Sequence, residues 1–133
     1  MTPEKLVELA KEAMTHAYVP YSGYKVGAAL LCGDGTVYQG CNIENAAYGP
    51  TNCAERSAVF AAYSRGYRKD TIKALAIVSD GERIAAPCGI CRQVLSELLK
   101  ADTPIYLSNG HDEMTTNMTE LLPMQFTMED VIR

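Results

Sequence analysis

The chain of 133 residues contains no tryptophan, two phenylalanines, two histidines and no cluster of lysines and arginines. Its formal net charge at pH 7 is -4. A protein that holds nucleic acid mainly through phosphate contacts needs a basic surface, so the sequence predicts no nucleic-acid partner. The apolar runs, such as 26–32, are far too short to span a bilayer, and no membrane segment is expected.

The first residues also lack the long apolar core of a secretory signal peptide. Five cysteines, an odd number, in such a chain indicate reduced thiols and a cytoplasmic location. The length is that of one globular domain, expected over 1–133, and it is sufficient for a hydrophobic core without disulfide bonds.

Hydrophobic periodicity and turn residues predict an α/β fold. Helices are expected over about 3–15, 54–65 and 88–100. Strands are expected over about 25–32, 36–41, 74–79, 104–108 and 114–117. The alternation of strands and helices implies parallel crossovers, but the gap before the last strand is too short for one, so that strand pairs antiparallel. The expected architecture is a three-layer α/β/α sandwich with a mixed five-stranded sheet.

Three cysteines lie at the starts of two predicted helices. Cys88 and Cys91 are three residues apart, so both sulfurs can face one point in front of the same first turn. Cys53 begins the other helix, and if both helices follow adjacent parallel strands, their N-termini lie at one edge of the sheet. Three thiolates then converge on one zinc ion. Three protein ligands leave the fourth tetrahedral position to water, which is the arrangement of catalytic zinc sites.

Two kinds of charged residue accompany these cysteines. Glu55 follows Cys53 by two residues and is not needed as a ligand, which suits a proton carrier. Taken alone, it is an ordinary acid at the positive end of a helix. Three thiolates leave a zinc site with a net charge of about -1. Arg92 follows the proposed ligand Cys91 by one residue and Arg56 follows Cys53 by three, and either can donate hydrogen bonds to a sulfur.

Two other interpretations of the cysteines rank lower. A structural zinc site requires a fourth ligand, for which the candidates are Cys32, Cys41, His16 and His111. The two cysteines fall in predicted strands, where a buried Cys is an ordinary apolar residue, and both histidines are expected in surface positions or loops. A redox Cys-x-x-Cys motif does not explain why Glu55 follows Cys53 at a spacing of two residues.

Asn42 and Glu44 follow the second predicted strand. An extended chain places them on the same side, where an amide and a carboxylate together can grip a sugar hydroxyl. The alternative is an ordinary polar loop leaving a strand. A 5'-phosphate requires a cationic neighbour, and this segment offers an acid, which favours a nucleoside over a nucleotide.

Cys-Ala-Glu at 53–55 followed by Pro-Cys-x-x-Cys at 87–91 resembles the zinc-dependent cytidine deaminase superfamily. Cys53 stands where many members carry His, and this all-cysteine set is similar to that of the small homotetrameric cytidine deaminases. The resemblance implies one zinc ion per subunit and hydrolytic deamination of cytidine and deoxycytidine to uridine and deoxyuridine, with release of ammonia, in pyrimidine salvage. It further implies a zinc-activated water and a proton shuttle through Glu55.

The same resemblance assigns contacts to the substrate within one subunit. It implies that Asn42 and Glu44 contact the ribose 3'-hydroxyl. Ala54 and Glu55 are expected to hold the pyrimidine ring, and Tyr24 to lie beside the nucleoside, where relatives often carry Phe.

Further contacts are implied to come from neighbouring subunits of a homotetramer with shared active sites. Ala46 and Tyr48 are expected from one neighbour, and Phe126 is expected to stack on the base from another. Without the resemblance, Tyr24 and Phe126 are ordinary core or loop aromatics. Blasticidin S deaminase carries similar cysteine motifs and is the second candidate, but the segment Asn-Ile-Glu-Asn-Ala-Ala-Tyr at 42–48 is more similar to cytidine deaminases.

Overall fold

The computed structural model describes residues 1–131. Its helices are α1 Pro3–Met14, α2 Ala54–Ser64, α3 Gly89–Leu98 and α4 Met118–Leu121. Its strands are β1 Val26–Cys32, β2 Val37–Cys41, β3 Ile72–Ser79, β4 Ile105–Ser108 and β5 Glu113–Thr116. Within the described range, no helix is both long and apolar enough to cross a membrane.

The five strands form one sheet in the order β2-β1-β3-β4-β5. β1 pairs antiparallel with β2 and β3, β3 pairs parallel with β4, and β4 pairs antiparallel with β5. One face of the sheet packs against Leu6 and Ala10 of α1, and the other packs against α2 and α3. The predicted three-layer sandwich with a mixed sheet is therefore confirmed.

One condition stated for the cysteine site is not met. The strands that precede the two cysteine-bearing helices, β2 and β3, run in the same direction but are not adjacent, because antiparallel β1 lies between them. The crossover through α2 therefore passes over β1. The two helices still begin at the same edge of the sheet, because parallel strands end at the same edge whether or not they are neighbours.

The element boundaries show smaller differences. β3 begins at Ile72, two residues before the predicted start, and Cys88 occupies the N-cap position of α3 instead of lying within the helix. The short helix α4 is not predicted from the sequence, because its four residues are too few to show a hydrophobic period. The Asn117 side chain caps it by accepting a hydrogen bond from the Glu120 N–H.

Gly40 of β2 allows α2 to lie directly on the sheet. A Cβ atom at this position would lie 2.6 Å from the Ala54 carbonyl oxygen and 2.7 Å from the Ala58 nitrogen. Both neighbours are backbone atoms of α2, so neither can move without moving the helix. The small buried residues Ala54, Ala58 and Ala62 complete this close packing. Because Gly40 has no side chain, the first turn of α2 can pack directly against β2.

We expect Gly40→Ala to displace the first turn of α2 and to lower the free energy of unfolding by about 1–3 kcal/mol, the usual range for overpacking. Urea unfolding measures this change. The matched control is Gly49→Ala, because an added Cβ at Gly49 meets no atom of the described residues within 4 Å. Equal stability of the two variants would contradict the close packing described for Gly40.

Candidate active site

Three cysteine sulfurs converge at the sheet edge where α2 and α3 begin. The Sγ atoms of Cys53, Cys88 and Cys91 all lie within 4.8 Å of one another. Cys53 is the N-cap residue of α2 and Cys88 that of α3, and neither side chain caps its own helix. Both thiols are therefore available to a ligand, and Cys91 adds a third from the first turn of α3.

The spacing of these sulfurs fits zinc. The Sγ atoms of Cys53 and Cys88 are 3.8 Å apart. Two sulfurs that each lie about 2.3 Å from a tetrahedral zinc ion are themselves separated by about 3.8 Å. No fourth Cys, His, Asp or Glu joins the cluster among residues 1–131, and Cys32, Cys41, His16 and His111 all lie outside it. This arrangement matches an open catalytic site and not a closed structural one.

The pKa values of two of the three thiols are shifted in opposite directions. A hydrogen bond with Cys91 is the main cause that lowers the pKa of Cys53 to about 5, and the Arg56 guanidinium and Cys88 contribute in the same direction. The same bond with Cys53, together with burial, raises the pKa of the Cys91 thiol. A divalent cation allows all three to ionise, with release of the remaining protons.

The two candidate arginines have different contacts. Arg56 Nη2 donates to Cys53 Sγ at 3.6 Å, whereas its buried Nε has no hydrogen-bond partner within residues 1–131. Arg92 donates instead to the carbonyl oxygens of Pro87 at 2.7 Å and Leu121 at 2.9 Å. Arg56 is therefore the arginine that touches the sulfur cluster, and Arg92 holds the backbone that leads into Cys88.

Glu55 is buried in the first turn of α2, with 4% of its surface exposed. Burial is the main cause that raises the pKa of its carboxyl to about 7, and the Cys53 thiolate adds to the shift. An acid that merely complements a helix dipole remains in solvent, as Glu4 does in the first turn of α1. A carboxyl group is seldom fully buried unless it has a partner or a function.

Backbone hydrogen bonds join the segment that carries Asn42 and Glu44 to the residue that precedes Cys53. Ile43 pairs with Asn52, whose N–H and C=O make hydrogen bonds of 2.9 and 3.0 Å with the Ile43 backbone. Asn52 immediately precedes Cys53. The two polar side chains on either side of Ile43 are therefore held at a fixed place relative to the first metal-binding thiol.

Both of these side chains contact the loop before β1, as expected if they lie on one side of the chain. Asn42 accepts from the Val26 N–H at 2.9 Å and donates to the Tyr24 carbonyl at 2.8 Å. Glu44 accepts from the Tyr21 and Ser22 N–H groups and from the Ser22 hydroxyl. Sequence reasoning missed Ser22, whose one signal is its place in an aromatic loop rich in turn-forming residues.

The remaining predicted contacts lie at the surface of the single chain. Tyr48 is 87% exposed and Phe126 is 60% exposed, and Ala46 is also exposed. Phe126 lies along α3, where its carbonyl accepts from Gln93 Nε2 at 3.1 Å and its side chain borders a groove toward the end of that helix. This groove does not include the cysteines.

Tyr24 and Ala54 lie nearer the edge of the sheet at which the cysteines meet. Tyr24 packs so closely on Gly81 that a Cβ there would lie 2.9 Å from the tyrosine ring. Ala54 is fully buried between Cys53 and Glu55. Ala54 is thus held in the interior, whereas Tyr24 is 37% exposed.

Comparison with known proteins supports the same chemistry. The family model for the cytidine and deoxycytidylate deaminase zinc-binding region matches residues 1–107. A curated cytidine deaminase from Sporosarcina psychrophila is 53% identical over 133 residues, which cover 98% of this chain and 96% of the relative.

Solved structures of cytidine deaminases also match. The enzyme from Burkholderia pseudomallei gives a TM-score of 0.91 at 48% identity, covering 95% of this chain and 100% of that chain. The enzyme from Mycobacterium tuberculosis gives a TM-score of 0.79 at 39% identity, covering 96% of this chain and 98% of that chain.

An α/β/α sandwich with three converging thiols and a buried glutamate defines a zinc-dependent deaminase, a hydrolytic enzyme. The chain belongs to the cytidine and deoxycytidylate deaminase zinc-binding family. The resemblance stated from its sequence motifs is thereby confirmed.

We expect Cys53→Ala to reduce the zinc content from about one ion per chain to nearly none and to lower stability. The loss in free energy of unfolding should reach about 3 kcal/mol, because a ligand present at 100 times its Kd already stabilises by about 2.7 kcal/mol. Elemental analysis and thermal unfolding measure the two effects. Cys41→Ala is the control, since Cys41 lies outside the cluster, and full zinc content in Cys53→Ala would contradict the site.

Proposed function

We propose that the protein catalyses hydrolytic deamination of cytidine and deoxycytidine to uridine and deoxyuridine, with release of ammonia. The observation that carries the proposal is the buried carboxyl of Glu55 beside a three-thiol site that has no fourth protein ligand among residues 1–131. The match to cytidine deaminases over nearly the whole chain supports the choice of substrate.

In the proposed mechanism, Cys53, Cys88 and Cys91 hold zinc, which when bound supplies Lewis acidity toward water. Glu55 accepts a proton from the attacking water and delivers it to ring N3 as oxygen adds to C4. Glu55 then carries the second proton to the departing amine, so that C4–N breaks and ammonia leaves. Burial suits Glu55 to this role, because solvent does not compete for the protons that it transfers.

Two neighbours of Glu55 assist in this scheme. Ala54 presents its backbone to the pyrimidine ring, which Glu55 also contacts, and its close packing on Gly40 holds that backbone in place. The contact of Arg56 with Cys53 Sγ offsets part of the negative charge of three thiolates. A less negative site leaves zinc a stronger Lewis acid toward water.

Asn42 and Glu44 are proposed to bind the ribose 3'-hydroxyl. Within the part of the chain that the structure describes, one N–H of Asn42 and one carboxylate lone-pair position of Glu44 have no hydrogen-bond partner. A hydroxyl group needs one donor and one acceptor, and this pair supplies both. The carboxylate also disfavours a phosphate group nearby, so a nucleoside is preferred to a nucleotide.

The active site is proposed to be shared within a homotetramer. Tyr48 and Phe126 are large aromatic residues exposed on the single chain, and exposed aromatics are typical of surfaces that a partner covers. Ala46 and Tyr48 from one subunit, and Phe126 from another, complete the site beside Tyr24. Such an enzyme, acting on free nucleosides in the cytoplasm, serves pyrimidine salvage.

We expect Glu55→Gln to retain zinc while kcat falls by about 100- to 10,000-fold, the range for loss of a general acid-base group. The loss of the cytidine absorbance band measures turnover, with blasticidin S as a second substrate. Glu12→Gln, an exposed change on α1, is the control. Wild-type rates in Glu55→Gln would refute the shuttle, and turnover of blasticidin S alone would refute the substrate.

The shared site predicts complementation between two impaired subunits. We expect Phe126→Ala to lower kcat/KM about tenfold, since removing an aromatic that stacks on a base typically costs about 1–3 kcal/mol. Co-expressed Phe126→Ala and Glu55→Gln subunits should form hybrids in which an intact Glu55 meets an intact Phe126. Hybrids purified through two tags should then be more active per intact Glu55 than Phe126→Ala alone. Equal activity would show that each subunit uses its own Phe126.

A further inference from the structure

Ser22 lies at the centre of a short chain of hydrogen bonds that ends on Glu44. Its hydroxyl oxygen accepts from the Tyr24 N–H at 3.0 Å, and its hydroxyl hydrogen is donated to Glu44 Oε2. Its own N–H donates to Glu44 Oε1 at 3.1 Å, beside the Tyr21 N–H at 3.0 Å. Three donors from two consecutive residues thus hold one carboxylate.

The two carboxylate oxygens of Glu44 accept different numbers of hydrogen bonds. Oε1 receives two backbone N–H groups, which fill its acceptor positions, whereas Oε2 receives only the Ser22 hydroxyl from residues 1–131. The position that remains for a ligand is therefore on Oε2, the oxygen that Ser22 orients. The Ser22 hydroxyl is also the largest cause that lowers the pKa of Glu44.

Glu44 has no arginine or lysine partner among the ion pairs of residues 1–131. A partly exposed glutamate without such a partner normally samples several rotamers. The loop donors, and Ser22 above all, take the place of a cation in fixing this side chain. Hydrogen bonds in series also polarise one another, so the Tyr24 N–H strengthens the bond that Ser22 donates.

We propose that Ser22 is a positioning residue for sugar recognition, which holds Glu44 Oε2 in the orientation that accepts the ribose 3'-hydroxyl. This inference rests on the proposed function, in which Glu44 contacts that hydroxyl. It extends the function by assigning part of the selectivity for a 3'-hydroxyl to a residue that does not touch the substrate. A preorganised acceptor binds more tightly because less rotamer freedom is lost on binding.

The test compares Ser22→Ala with wild type on cytidine and on 3'-deoxycytidine. Without the hydroxyl that orients Glu44 Oε2, KM for cytidine should rise about tenfold while kcat stays within twofold. KM for 3'-deoxycytidine should change less than twofold, because that substrate lacks the hydroxyl. Ser22→Thr, which keeps the hydroxyl, should restore most of the affinity. Ser64→Ala removes an exposed hydroxyl from the end of α2 and serves as control.

The two substrates separate this role from a merely structural one. A general disturbance of the loop, through Tyr24 for example, raises KM for both substrates alike and would overturn the proposal. So would an unchanged KM for cytidine in Ser22→Ala. A double variant with Glu44→Gln gives a further check, since Ser22→Ala should add less than a twofold effect once the carboxylate is absent.

Two further measurements distinguish a failed positioning role from poor folding of the variant and from a wrong proposed function. Ser22→Cys preserves the side-chain volume but supplies only a weak donor, and it should reproduce the alanine result if Ser22→Ala folds poorly. Wild-type turnover of cytidine is measured first. Its absence would refute the proposed function itself, whereas turnover with a KM that is insensitive to Ser22 would refute the positioning role alone.

Discussion

The first turns of α2 and α3 must meet within a few ångströms, because the three sulfurs that they carry bind a single ion. Much of the fold serves this requirement. Parallel β2 and β3 bring both helix starts to one edge of the sheet, and Gly40 lets α2 lie close enough to β2 for Cys53 to reach its place. The Pro87 and Leu121 carbonyls, held by Arg92, brace the backbone before Cys88.

This convergence creates an electrostatic difficulty that the surrounding residues reduce. Three thiolates and a buried carboxyl cannot all be charged close together without compensation. The structure provides helix N-termini, the Arg56 guanidinium and a site for a divalent cation. A divalent cation bound there would supply the counter-charge that holds the two helix starts at one edge, so folding would depend on the same thiols that bind the metal.

The sequence allowed the fold class and the metal triad to be predicted, because both depend on local patterns. Cysteines at helix starts, a glutamate two residues away and alternating strand and helix periods are each visible within a few residues. The position of β1 between β2 and β3 could not be predicted, because strand order depends on pairing between distant segments, which no local pattern reports. Ser22 was missed for the same reason, since it acts through Glu44, a residue 22 positions away. The contacts proposed for Tyr48 and Phe126 depend on other subunits and stay predictions.

The bridge between Ile43 and Asn52 has a consequence for how the site can change over evolution. It closes residues 44–51 into a loop whose two ends are fixed together beside Cys53. Substitutions at the tip of this loop, where Tyr48 is exposed, leave the separation between Asn42 and Cys53 unaltered. The surface that this loop exposes can therefore vary while the position of Asn42 relative to the chain's own thiol cluster is kept.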